Sequence, residues 1–421
     1  MPKYLKNKRK RRHSAFKNSS ENIIMSSENS GNKSSKPQRE KQSFTILHGK
    51  KKSSRIKRIV ALSLIGAIVL SVSLISIISP TGISELISNY TATFSFNSKL
   101  PVTLNGSETY NVSFKNNSVF VLSDSDFSCY SKQGKFSYSD AHGFSSPVAV
   151  ESQARCLVYD QNGKGVKIYN AKQLLLNFDC EYNILGADIS RNGYFAVATK
   201  SQNYTSMVTV YNKNGEVIFQ WYCPEEIINA VAVSSNGKKI ALCTLGVNNG
   251  NYNSKLYVLE FNSPDPVFQK EYSNALIYGI DSTSTKSFTV IGENFCDIIS
   301  WKKHSVTTFT TPYSVDGVKS SNKYTVIESA REHNDGNATF TVYNNKREQI
   351  SYFDFDGSVD DFVIYGKNIM VLSRNKVFLI NSDGNIAKTG DTTFGIVRIV
   401  PTSSGGCLTI SHNNISKISL E

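Results

Sequence analysis

No Cys-x-x-Cys pair occurs in this chain of 421 residues, and its seven cysteines are an odd count, which argues against a complete disulfide framework. Several lie inside apolar stretches, as Cys243 does in IALCTL and Cys407 in GCLTI, so buried free thiols are expected. Histidine is sparse. Beyond residue 58 only His142, His304, His333 and His412 remain, too scattered for a ligand set, and neither a metal nor another cofactor is implied. Catalytic constellations are missing too. Ser320-Ser321-Asn322-Lys323 and Lys388-Thr389-Gly390 imitate two penicillin-binding motifs, but they fall on strand edges rather than on the helix and sheet that chemistry needs. The carboxylates Asp354, Asp356, Asp360 and Asp361 read as solvated side chains around a turn rather than as a calcium loop.

Long apolar runs are absent with one exception, residues 59–78, IVALSLIGAIVLSVSLISII, which hold no charge and no proline. As a helix this run is about 30 Å long, the thickness of a bilayer's hydrocarbon core. Basic residues are then missing from Arg58 to Lys99, whereas residues 1–58 carry 18 Lys and Arg against Glu21, Glu28 and Glu40. That asymmetry predicts a single-pass anchor with a cytoplasmic amino terminus and an extracytoplasmic body at the cell membrane. A cleaved signal peptide would show a shorter apolar core behind a shorter leader. The flanking Lys50, Lys51, Lys52, Arg55, Lys57 and Arg58 also argue against a buried helix of a soluble core.

Residues 1–58 are too poor in large apolar side chains to offset the entropy of ordering, and are expected to be a disordered tail. Its KRKRR cluster at Lys8 to Arg12 sets topology and is drawn to anionic lipids rather than to nucleic acid. The tail accounts for the overall charge of +13: the remaining 29 basic and 31 acidic residues nearly cancel, at −2. Residues 79–90 read as a juxtamembrane linker, with a first strand, TATFSFN, starting near Thr91.

From there to Glu421 no long stretch has helical spacing. Short Val, Ile, Phe and Tyr runs alternate with Asn-Gly or Asp-Gly pairs, such as Asn192-Gly193, Asn214-Gly215, Asn236-Gly237 and Asp383-Gly384. These pairs suit two-residue hairpin turns in which both central residues take positive φ. The turns recur: ADISRNGYFAVAT and VAVSSNGKKIALCT superpose with Asn192 on Asn236. A second phrase repeats as VKIYNAKQ, VTVYNKNG, FTVYNNKR and VFLINSDG. Units of roughly 40 residues indicate four-stranded propeller blades. Innermost strands are placed near Tyr110, Pro147, Leu185, Ile228, Ile277, Asp316, Val359 and Ile396. The fold expected for residues 91–421 is therefore an all-β propeller of eight blades, alternatively seven. Its last blade is completed by a strand from residues 91–104, which closes the ring and removes exposed edges.

ISRNGYFAVAT and VSSNGKKIALCT resemble the strand-turn-strand signature of YVTN and TolB-like propellers. The plan of basic tail, single anchor and propeller resembles an uncharacterised family of membrane-anchored propellers from Gram-positive bacteria. This resemblance implies the fold and carries no established activity. The Gly-His and Trp-Asp dipeptides of WD40 repeats are absent, and Trp221 and Trp301 alone cannot form the tryptophan docking pattern of quinoprotein dehydrogenases.

Loop length nominates a working face. In a propeller the loop between strands two and three shares a face with the connections between blades. Three such loops are long: residues 201–206 (SQNYTS), 246–254 (GVNNGNYNS) and 331–337 (REHNDGN). Loops on a rigid scaffold tend to carry binding. Tyr204 and Tyr252 are candidates to stack on a sugar or peptide, with Asn249, Asn251, His333 and Asp335 as hydrogen-bond partners. The expected function is a non-catalytic binding or scaffold module for an envelope polysaccharide or a protein. The alternative, a glycan hydrolase or lyase, would need acids on the innermost strands, for which Asp188, Asp281 and Asp360 are the candidates.

Overall fold

The computed structural model describes residues 62–63, 66 and 83–421, apart from 96–97, 105–107, 116, 249, 283–284, 322, 331–335 and 403–404. The basic tail and most of the apolar run lie outside the described residues. Among those described, no helix is long and apolar enough to cross a membrane.

Eight sheets of four antiparallel strands follow one another around a ring, so there are eight blades rather than seven. Their innermost strands begin at Thr109, Pro147, Ile184, Ile227, Ile277, Val315, Asp361 and Ile396, each within two residues of its expected start. Blade eight takes its three inner strands from Ile396–Pro401, Cys407–Ser411 and Asn414–Ile418. Its outer strand is Val102–Thr103, paired as Val102 with Ile415 and Thr103 with Asn414. The expected closure by a shared blade is therefore present, and it joins the two ends of the body.

A sheet with two apolar faces must bury both, and here each blade does so against its neighbours. The result is eight separate apolar clusters, one at each blade-to-blade interface. Val119 and Val121 of blade one meet Leu408 and Ile410 of blade eight, so the closing interface is as apolar as the rest. Middle strands such as Ser118–Ser123 are buried throughout, while outer strands such as Val217–Cys223 alternate between exposed and covered residues. All seven cysteines are buried free thiols, as expected, and burial pushes Cys129, Cys243, Cys296 and Cys407 up to about 12.

In six innermost strands the register slips near the start, for example between Ile184 and Gly186, Ile228 and Ala230, and Ile396 and Arg398. Such a bulge re-aims the skipped residue. Leu185 and Val397 join the clusters shared with the next blade, and the Asn229 side-chain amide donates to the Ile277 carbonyl at 2.9 Å.

Two expectations are corrected. The Asn-Gly pairs at Asn192, Asn214 and Asn236, and Asp383-Gly384, do not form turns with two positive φ values: in each only the glycine is left-handed. The glycine N–H donates to the carbonyl three residues back, from Gly193 to Ser190 (3.0 Å) and from Gly215 to Asn212 (3.0 Å). The pair thus closes a four-residue turn whose last position needs positive φ. The side chain of the first residue strengthens it, as Asn212 accepts from the N–H groups of Asn214 and Glu216.

Secondly, Thr91 does not start a strand. Residues Ile83–Thr93 form a helix, and its last threonines turn their hydroxyls back onto carbonyls, Thr91 onto Ser88 and Thr93 onto Asn89. Residues 83–90 of the linker expected at 79–90 are therefore helical. Tertiary contacts override the strand propensity of TATFSFN. The Glu85 carboxylate receives Arg155 Nε at 2.9 Å and a second guanidinium nitrogen at 3.1 Å. The Asn89 amide donates to Ala154 and accepts from the Ala171 N–H, and Asn117 donates to Thr93. These partners all lie in turns between strands one and two or strands three and four, which share one face of the ring. We call it the helix face, and the opposite one the hairpin face.

Candidate functional site

On the hairpin face the second and third strands of blade four, Lys239–Asn248 and Asn251–Glu260, are ten residues each, against five to seven for their counterparts in other blades. The expected loop at 246–254 is therefore a continuation of both strands, with Gly246 opposite Asn253, Val247 opposite Tyr252 and Asn248 opposite Asn251. Between the two strands Gly250, at φ +81°, supplies the left-handed position. The alternating sequence GVN/NYN continues the ladder, and nothing in it breaks the strand. Blade four's outer strand stops at Ser273, opposite Asn253, so the tip stands beyond the sheet as a two-stranded ribbon. Val247 is 70% exposed and Tyr252 60%.

The ribbon has a firm base. Glu226, in the connection from blade three, accepts from Lys255 Nζ at 2.6 Å and from the Thr244 hydroxyl. That bond raises the Lys255 pKa. The Ser254 hydroxyl donates to Ala275 at 2.8 Å and the Asn274 N–H to the Tyr252 carbonyl at 2.9 Å, so the next connection holds the other edge. The neighbouring loop of blade three is tied likewise, with the Thr205 hydroxyl on Pro224 (2.8 Å) and that of Ser206 on Glu226 (2.8 Å).

Of the expected site residues, Tyr204, Asn251 and Tyr252 are exposed on this face, on adjacent blades. Asn249, His333 and Asp335 lie outside the described residues. Tyr204 meets Tyr222 with ring centroids 4.9 Å apart. Sequence reasoning missed Tyr222, Ile227, Val247 and Tyr278, all exposed near blades three to five. For Tyr222 there was a signal, the alternation of VIFQWYC in an outer strand.

The acids expected on the innermost strands divide. Asp188 and Asp281 line one cavity of about 370 Å³ in the central channel, together with Glu151. The Val233 N–H donates to Asp188 at 2.6 Å, linking two blades. Burial, aided by Asp281 and Glu151 and opposed by N–H groups of Val233 and Ile189, pushes Asp188 up to about 7. Asp360 is elsewhere, on the hairpin face, where it accepts from the Arg374 N–H at 2.5 Å. Among the described residues no group of His, Cys, Asp and Glu is arranged to hold a metal.

The model of a family described as "Family of unknown function (DUF5711)" matches residues 90–420. No curated protein matches the chain. Among solved structures it is similar to BamB from Moraxella catarrhalis, at 11% identity and TM-score 0.53, covering 77% of this chain and 99% of that one. The C-terminal WD40 domain of Sif2 gives 10% identity and TM-score 0.52, with coverage of 78% and 100%. A eukaryotic initiation factor gives 11% and 0.51, with 79% and 91%. At these identities the likeness shows the propeller fold alone.

Proposed function

Because the chain belongs to the DUF5711 family of unknown function, kinship supplies no activity, and we propose from its own surface that it is a non-catalytic binding module. The apolar run 59–78 holds it outside the membrane with its amino terminus in the cytoplasm, and a protein partner of the cell envelope docks on the hairpin face. The projecting ribbon of blade four carries this reading. Exposed Val247 and Tyr252 stand on a buttressed base beside Tyr204, Tyr222 and Ile227. Rigid tyrosines next to aliphatic side chains suit a protein hot spot, since they bury large area at low entropic cost. The aromatic rings also suit a polysaccharide, which is the other occupant to test. A second reading, a glycan hydrolase or lyase, rests on Asp188, whose raised pKa beside Glu151 and Asp281 would let it hold a proton near neutral pH.

The test uses the full chain in detergent, beside a variant lacking Val247, Asn248, Asn251 and Tyr252, which leaves the turn on the Gly246–Asn253 pair. Both are presented with envelope polymer fractions and solubilised membrane proteins of the source cell. A partner retained by the full chain and weakened about 100-fold by the deletion, as loss of a hot spot implies, supports the reading. Equal retention refutes the assignment of this face. Release of new reducing ends from a polymer would put the enzyme reading first.

A further inference from the structure

The helix Ile83–Thr93 is amphipathic in an inverted sense. Its inward side is polar: Glu85, Asn89 and Thr93 make the contacts with the ring. Its outward side is apolar, with Ile87 48% exposed, Tyr90 53% and, just past the helix end, Phe94 40%. The spacing of three and then four residues aligns these on one stripe, and the rings of Tyr90 and Phe94 meet at 5.6 Å. Lys135 fixes the end of the stripe by donating to the Phe94 carbonyl at 3.2 Å.

Charge is sorted between the two faces of the ring. In each of blades one to seven, the turns joining strands one and two or strands three and four carry at least one Lys or Arg, among them the exposed Lys132, Lys172, Lys238, Lys302, Lys346 and Lys367. Among the described residues of those turns, the carboxylates are Glu216, Asp265, Glu348 and Asp383. The hairpin face reverses the balance. Its loops bear eight carboxylates, Glu226 and Asp360 with Glu108, Asp124, Glu181, Glu225, Glu293 and Asp356, against Lys164 and Arg374 among the described residues. The body's near-zero net charge thus conceals a basic face and an acidic one.

Four residues, 79–82, separate the apolar run from the helix, a reach of at most about 18 Å over the five steps from Ile78 to Ile83. We propose that the helix face rests on an anionic lipid surface, with Ile87, Tyr90 and Phe94 set into the interfacial layer and the turn lysines over the headgroups. This rests on the reading of residues 59–78 as an anchor and deepens it. An apolar run ending this close delivers the exposed stripe to the depth where tyrosine and phenylalanine are favoured. Each lysine near an anionic surface adds roughly fivefold to the partition of the face. With the helix face down, the acidic hairpin face points away from the lipid, and its ribbon is free for a partner.

The experiment reconstitutes the full chain in phosphatidylcholine vesicles, with or without a third of the lipid replaced by phosphatidylglycerol. Both carry a lipid with a photoreactive group at the headgroup boundary, and labelled peptides are mapped by mass. Expected is labelling of 59–78 in both vesicles, labelling of 87–94 and of the lysine-bearing turns that is several-fold stronger with phosphatidylglycerol, and none at 247–252. A variant with Lys132→Glu, Lys172→Glu, Lys302→Glu and Lys346→Glu should lose that enhancement and keep its label in 59–78. If 59–78 is labelled while 87–94 and the turns are not, the apposition is wrong and the anchor stands. If 59–78 is unlabelled, the anchor reading falls and takes this inference with it. Cross-linking of 87–94 to a second copy would assign the stripe to a dimer and overturn the lipid assignment.

Discussion

Glu328 shows how one residue ties this fold to pH. It sits on the second strand of blade six opposite Gly317, and a Cβ at that glycine would lie 2.7 Å from its carboxylate, so the absent side chain makes the space. Burial, with Asp316 adding and Lys319 opposing, pushes Glu328 up to about 7 from an ordinary 4.5. Between those values the folded protein holds a proton that the unfolded chain has released, so the stability this group contributes is fully present below pH 4.5 and is lost as pH rises through 7. Glu328→Gln removes the cost of burying the charge. It is expected to raise stability at pH 8 by on the order of 2–3 kcal/mol and to change little at pH 4, as read from urea unfolding of the two proteins at each pH. A gain of equal size at both pH values would mean that ionisation is not its source.

At the level of elements, the helix Ile83–Thr93 owes its position to side chains rather than to its own propensity, since eleven residues are too few for a stable helix in water. The Asn89 amide bridges two turns of blade two, and Glu85 satisfies a mostly buried Arg155 that also donates to the Lys213 carbonyl at 2.7 Å. Removing one partner of a buried pair leaves a charge without compensation. Glu85→Ala is accordingly expected to cost about 3 kcal/mol and to speed amide exchange over 83–93 before any strand of blades three to six. Asn89→Ala, which leaves two buried backbone groups without partners, should do the same by about 1–3 kcal/mol. Unchanged exchange in both variants would show that the helix is held by other contacts.

For the whole molecule, stability depends on closing the ring, because each blade buries its faces only against its neighbours. The joint is held by one two-residue strand, Val102–Thr103, and by Leu104, which is buried between blades eight and one. Leu104→Ala is expected to cost about 2–4 kcal/mol. Hydrogen exchange should quicken first over Asn414–Ile418, the strand that Val102–Thr103 covers. Uniform quickening around the ring would show that the joint is no weaker than the other interfaces.

By itself the sequence determined the repeat, the innermost strand starts to within two residues and the closure by a shared blade, and left the structure to decide between eight blades and seven. Those features follow from alternation and turn residues, which act over a few positions of chain. It also pointed to Tyr204 and Tyr252, because a long insertion in a short-looped repeat is visible without a structure. Only the tertiary structure decided that GVNNGNYNS is a pair of strands, since its ladder partners lie across a turn and lengthen strands already in place. It alone made a helix of TATFSFN's first threonines, through contacts with turns some 24 to 82 positions away. The sorting of charge was likewise invisible in a net of −2: strand direction reverses at every turn, so lysines and carboxylates that alternate along the chain are gathered onto opposite faces only when the blades stand side by side.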